Sequence, residues 1–174
     1  MSQPEWIELS EADFITIDTV GPPGQRTFYL QAAQDELVVT LVIEKEQAAA
    51  IAVAIGGALQ QLEVIDEEVD LSGLGLIPPV EPLFRVGKLE LGYDQERDML
   101  VIAAEELTAE DEQGGRVRIW ARHEQMAALA RKAAAAVAAG RPICPLCDEV
   151  IEPDEEHVCV RDNGHKRLYE LEED

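Results

Sequence analysis

Displaced by 78 positions, the chain aligns with itself: Val39-Thr40-Leu41-Val42 falls on Val117-Arg118-Ile119-Trp120, Glu46-Gln47 on Glu124-Gln125, and Ala49, Ala50 and Ala52 on Ala127, Ala128 and Ala130. A strand-to-helix junction that recurs without a gap constrains the fold strongly, because both copies must bury the same faces. Alanine-rich helices match readily, so the Glu-Gln pair and the order of elements carry the weight of this comparison. Alternation with β-branched content predicts strands at 14–20, 26–33 and 36–43, with turns at Gly21-Pro22-Pro23-Gly24 and Gln34-Asp35. Ile51, Ile55, Leu59 and Leu62 then form the apolar stripe of a helix over 45–62. After a loop with Pro78-Pro79, strands are expected at 83–93, 99–107 and 116–122 and a helix at 124–139, with Gly140 as its C-cap. The expected fold class is α+β: two βββα units (halves about 13–62 and 83–139), an internal duplication, packed as one domain over 1–140. Residues 141–174 are expected to form a C-terminal zinc-knuckle or ribbon-like appendage.

The appendage rests on spacing. Cys144-Pro145-Leu146-Cys147 brings two sulfurs to one ion, and His157-Val158-Cys159 places an imidazole and a thiolate two residues apart, on the same side of an extended segment. All three cysteines lie here, an odd number that fits a metal site in a reducing compartment rather than a disulfide framework. Four protein ligands leave no position for water, so the expected cofactor is a structural zinc held by Cys144, Cys147, His157 and Cys159. His165 is the alternative to His157. Asp148 stands where such knuckles often carry a glycine that relaxes the turn.

A formal net charge of -22 repels phosphate backbones, so nucleic acid is not expected as a partner. Met1–Leu9 lacks a basic and an apolar leader region, and the apolar run 48–59 is too short for a bilayer; no membrane association and a cytoplasmic location are expected. Gly73-Leu74-Gly75 leads into Pro78-Pro79, not into a helix, and is a loop rather than a nucleotide fingerprint.

Arg116, Arg118, Trp120 and Arg122 alternate with Val117, Ile119 and Ala121, which puts three guanidiniums and an indole on one strand face. Such a stripe can bind an anionic ligand or an acidic peptide. Cross-strand pairing with Glu105, Glu106 or Glu90 is the commoner use, and is expected here. Glu46 and Glu124, near helix starts, are expected to cap rather than to catalyse. His123 has no Ser or Cys partner evident in sequence, so no catalytic triad is expected.

Gly24-Gln25-Arg26-Thr27-Phe28-Tyr29-Leu30-Gln31, the Cys144–Cys147 and His157–Cys159 pairs and Asn163-Gly164 together resemble the bacterial family called domain of unknown function 3090, over nearly the whole chain. In that family an aromatic residue usually follows Asn-Gly, where this chain has His165, and a glycine usually follows the second cysteine, where it has Asp148. The resemblance implies no particular activity. It implies a context, beside a histidine-phosphatase-like protein and a distant relative of lipid kinases. The expected function is a non-enzymatic, zinc-stabilised adaptor or regulatory protein-binding module acting with such a partner. The alternative is an enzyme or small-anion-binding protein with a site between the halves, using Arg26 and Gln31 beside Phe28 and Tyr29.

Overall fold

The computed structural model describes residues 6–22, 24–64, 68–139 and 146–147. Seven strands and two helices follow in the order β1 (Trp6–Leu9), β2 (Phe14–Val20), β3 (Thr27–Gln34), β4 (Leu37–Ile43), α1 (Lys45–Gln61), β5 (Phe84–Asp94), β6 (Met99–Glu106), β7 (Arg116–Ala121) and α2 (His123–Ala139). The fold is α+β with a mixed sheet, and three strands and a helix occur twice in the expected order. The sequence reading did not include β1. Its four residues are too few to show a period, and they acquire strand geometry from a partner more than a hundred residues away.

The strand order in the sheet is β1-β7-β6-β5-β4-β3-β2. Four neighbouring pairs are antiparallel, as tight connections require: Asp35 and Asp98 take positive φ (54° and 53°) in the short β3–β4 and β5–β6 turns, a conformation that Asp tolerates better than most residues. Two pairs are parallel, β4 with β5 and β1 with β7, and each joins one βββα unit to chain outside that unit. Only residues 10–13 separate β1 from β2, although these strands end opposite sides of the sheet order. Within that link Ala12 N–H donates to Trp120 O at 2.9 Å and Asp13 N–H to Ala33 O at 2.8 Å. The two ends of the sheet order are therefore bridged by one short segment that is bonded to β7 and to β3.

One sheet face and both helices share a single core. Ile17, Leu30 and Leu41 stand opposite one another in the first half, and Leu91, Ile102 and Ile119 in the second. All of these but the half-buried Leu91 are sealed from solvent, together with Ile51, Ile55 and Leu59 of α1 and Met126 and Leu129 of α2. Each large aliphatic side chain so buried contributes about 1.5–3 kcal/mol.

The two strand-to-helix junctions match bond for bond at the offset of 78. Gln47 Oε1 accepts from Glu44 N–H at 2.8 Å, and Gln125 Oε1 accepts from Arg122 N–H at 2.9 Å. The same amides then reach across: Gln47 Nε2 donates to Val86 O on β5, and Gln125 Nε2 to Ala12 O beside β2. Each helix start is thus fastened to chain beyond its own βββα unit, and the Glu-Gln pair owes its place to the glutamine. Among the described residues, no helix is long and apolar enough to cross a membrane.

Candidate functional site

The sheet face turned away from the helices differs between the halves. In the first, Thr16, Gln31 and Thr40 form one cross-strand row, and all three are buried. The loop after α1 covers them. Ile77 N–H donates to Gln31 Oε1 at 2.7 Å, Gln31 Nε2 donates to Ile77 O at 3.1 Å and to Thr40 Oγ1 at 3.0 Å, and Thr16 Oγ1 donates to Leu74 O at 2.5 Å. A primary amide is the side chain that can both accept from and donate to one peptide unit, so Gln31 clamps Ile77 as a neighbouring strand would.

Arg26 lies just before β3 and five positions from Gln31, so strand alternation sends the two side chains to opposite faces. Its terminal nitrogen is 3.5 Å from Thr19 Oγ1 and its Nε donor is buried without an acceptor among the described residues. Arg26 and Gln31 therefore do not converge. Among the described residues, one surface groove of about 410 Å³ is lined by Gln47, Ile51, Lys88 and Leu91, and another of about 370 Å³ by Leu59, Val64, Ala127 and Arg131. Neither contains Arg26, Gln31 or the arginine stripe.

In the second half the corresponding row is Glu90, Ala103 and Arg118, and among the described residues it has no covering loop. Here β7 presents Arg116, Arg118 and Trp120 away from the core, and β1 adds Trp6, which stands opposite Arg116. The Arg118 guanidinium carbon lies 4.5 Å from the centre of Trp6 and 5.6 Å from that of Trp120. Arg97 stacks on Trp120 at 4.5 Å, and Arg116 lies 5.4 Å from Trp6. The result is an alternating ladder of indoles and guanidiniums, each contact contributing about 0.5–2 kcal/mol according to how far it is desolvated. Val101 stands opposite Trp120, and Gly92 lies one strand further along the same row.

Carboxylates hold the ladder in register. Arg116 Nε is 3.4 Å from Glu105 Oε1, Arg118 pairs with Glu8, and Trp120 Nε1 donates to Asp94 Oδ2 at 3.2 Å. The expected pairing of the stripe with Glu105 is present, while Glu8 and Asp94 are partners that sequence reading missed. Glu8 could not have been found, since it pairs with Arg118 across 110 positions through a strand too short to recognise. Arg118 Nε is buried between the rings without an acceptor among the described residues. Arg122 continues the alternation but lies beyond the end of β7, with Nε 2.8 Å from Glu124 and a terminal nitrogen 3.5 Å from Glu11. Backbone and Arg122 hydrogen bonds hold the Glu124 carboxyl below its ordinary pKa, as befits a group at a helix start.

Tyr93, Asp98 and His123 form a separate cluster. Tyr93 donates its hydroxyl to Asp98 Oδ1 at 2.6 Å, and His123 Nε2 lies 3.0 Å from the same oxygen. The Tyr93 hydrogen bond draws the Asp98 carboxyl below its ordinary pKa, and the same bond pushes the phenol up. The cluster fastens the β5–β6 turn to the first residue of α2. It supplies no Ser or Cys nucleophile.

Among the described residues no three His, Cys, Asp or Glu side chains are grouped to hold a metal ion. Of the four expected zinc ligands Cys147 is described and is half-buried, while Cys144, His157 and Cys159, like the alternative His165, lie outside the described residues.

Residues 7–159 match the protein family described as "Protein of unknown function (DUF3090)". No curated protein and no solved structure matches the chain.

Proposed function

Given that the chain belongs to the DUF3090 family, whose matched region runs through both halves of the sheet and on to Cys159, we propose that it is a non-enzymatic, zinc-stapled adaptor that docks a protein partner on its arginine–tryptophan face. The observation that supports this most is the ladder of Trp6, Arg118, Trp120 and Arg97, in which Trp120 is buried beneath the guanidiniums while Trp6 and Arg118 stay partly exposed. Trp and Arg dominate the energetics of protein interfaces, because a large flat side chain excludes water while a guanidinium still offers directed donors. The partner class is a protein presenting carboxylates or phosphates, and the phosphatase-like or kinase-like neighbours implied by the resemblance fit it.

Two further features belong to the same reading. The paired glutamine clamps at Gln47 and Gln125, at one spacing and with one bonding pattern, support an origin of the two βββα units by internal duplication. The ligand set Cys144, Cys147, His157 and Cys159 suits one structural zinc, whose role is to order a segment with too few apolar residues to fold unaided. The alternative, an enzyme or small-anion site between the halves, has less support, since Gln31 is consumed by Ile77 and Arg26 faces elsewhere.

Replacing Arg116 and Arg118 together by alanine tests the docking face. The two half-exposed ion pairs contribute about 0–1 kcal/mol each and the three stacks about 0.5–1 kcal/mol each, so the double variant should lose roughly 2–5 kcal/mol and still melt cooperatively. Proteins captured in stoichiometric amount from native lysate by the parent chain should be lost from the double variant. Capture that is indifferent to both arginines would remove the face from the proposal.

A further inference from the structure

The first half shows what covers a sheet face of this kind: the segment that directly follows its own helix. Residues beyond α1 place Leu74 and Ile77 over the row Thr16, Gln31 and Thr40. The row Glu90, Ala103 and Arg118 occupies the same register, because it adjoins Leu91, Ile102 and Ile119 as the first row adjoins Ile17, Leu30 and Leu41. The segment that directly follows α2 is 140–174.

We infer that residues 148–156 of this chain, Asp-Glu-Val-Ile-Glu-Pro-Asp-Glu-Glu, dock in cis on the face formed by Trp6, Arg116 and Arg118 beside the buried Trp120. The chemistry of the segment complements that face. Six of its nine residues are carboxylates and none is basic, while Val150 and Ile151 are apolar. The face offers a floor of Trp6, Val101 and Ala103 beneath two guanidiniums, whose recorded ion pairs use only Nε of Arg116 and one terminal nitrogen of Arg118. A guanidinium carries five N–H donors, so both retain donors for a second carboxylate. Reach is adequate, since the nine steps from Ala139 to Asp148 span up to about 30 Å, roughly the diameter of a small domain. The offset of 78 carries Leu74 and Ile77 to Glu152 and Glu155, so the acidic run falls where the first half places its covering residues.

This inference uses the face named in the proposed function, but the contact is intramolecular and does not depend on a partner. If both hold, the segment is a built-in competitor that an acidic partner must displace. The test is zero-length carbodiimide cross-linking of the full-length protein. Lys88 lies in the row Lys88, Glu105, Arg116 on this face, with Glu90 at 3.2 Å as an internal control. Expected is a link from Lys88 to a carboxylate of 148–156, within one chain, with a yield independent of dilution because the local concentration of a tethered segment is of order millimolar. In the Arg116→Glu, Arg118→Glu variant that yield should fall roughly tenfold while the Lys88–Glu90 link persists. A Lys88–Glu90 link without any link to 148–156 overturns the inference. So do links between differently isotope-labelled chains, which would make the occupant a second copy. The lysate experiment above reports on the partner alone, so either reading can fail without the other.

Discussion

Gln31→Leu is expected to lower the stability of the protein by roughly 1–3 kcal/mol, because it removes both partners of a half-buried peptide group, at about 0.5–1.5 kcal/mol for each bond. Leucine has nearly the volume of glutamine, so the substitution leaves little cavity and isolates the hydrogen-bonding term. Ile77 N–H and Ile77 O both lose their partner, and Thr40 loses a donor. The loop has one escape. It can lift off and return its peptide groups to water, at the expense of the apolar contacts of Leu74 and Ile77. Hydrogen exchange separates the outcomes, since lifting exposes the Ile77 amide and accelerates exchange along 68–83 while the β3–β4 ladder stays slow. Thr16→Val, which removes the single bond to Leu74 O, should cost about 1 kcal/mol. If Gln31→Leu melts with the parent and Ile77 remains protected, the amide is not what holds the loop, and a ligand role for Gln31 returns.

That clamp also shows where sequence reading stops. The strands and helices around it were legible, because each turns one apolar face to the core and therefore carries a local period: Leu37, Val39, Leu41 and Ile43 alternate, and Ile51, Ile55 and Leu59 recur every turn. Gln31 sits in a strand covered on both faces, so its neighbours Leu30 and Ala32 give no sign that the far face is closed by chain 46 positions away. The arginine stripe was legible as an alternation, but its meaning depended on Trp6 and Glu8, which β1 delivers by parallel pairing. Local pattern reports which side of a strand is wet in isolation. It is silent on long-range pairing, and the parallel pair β1–β7 is the step that builds this site.

Removal of metal is expected to have the other large effect, confined to the tail. Zinc binding requires deprotonated thiols and a neutral imidazole, and in small zinc-folded segments it supplies on the order of 10–16 kcal/mol of apparent folding free energy near neutral pH. The sheet and helices are expected to have no share in that dependence, since the sheet ends are bridged by backbone bonds and the core is filled by α1 and α2. A strong chelator, or Cys147→Ser, should therefore raise proteolysis after about residue 140 while the cooperative melt of the sheet and helices survives. Elemental analysis of the purified chain should find about one zinc, as a four-ligand site requires. Comparing His157→Ala with His165→Ala identifies the fourth ligand, because the substitution that lowers zinc content is the one that removes a bond to the metal. Acidification should release the metal, since protons compete directly for thiolate and imidazole. If the protein carries no zinc and its three cysteines react at once with a thiol reagent in native buffer, the stapled tail is wrong, and residues 148–156 would have to find the arginine face without it.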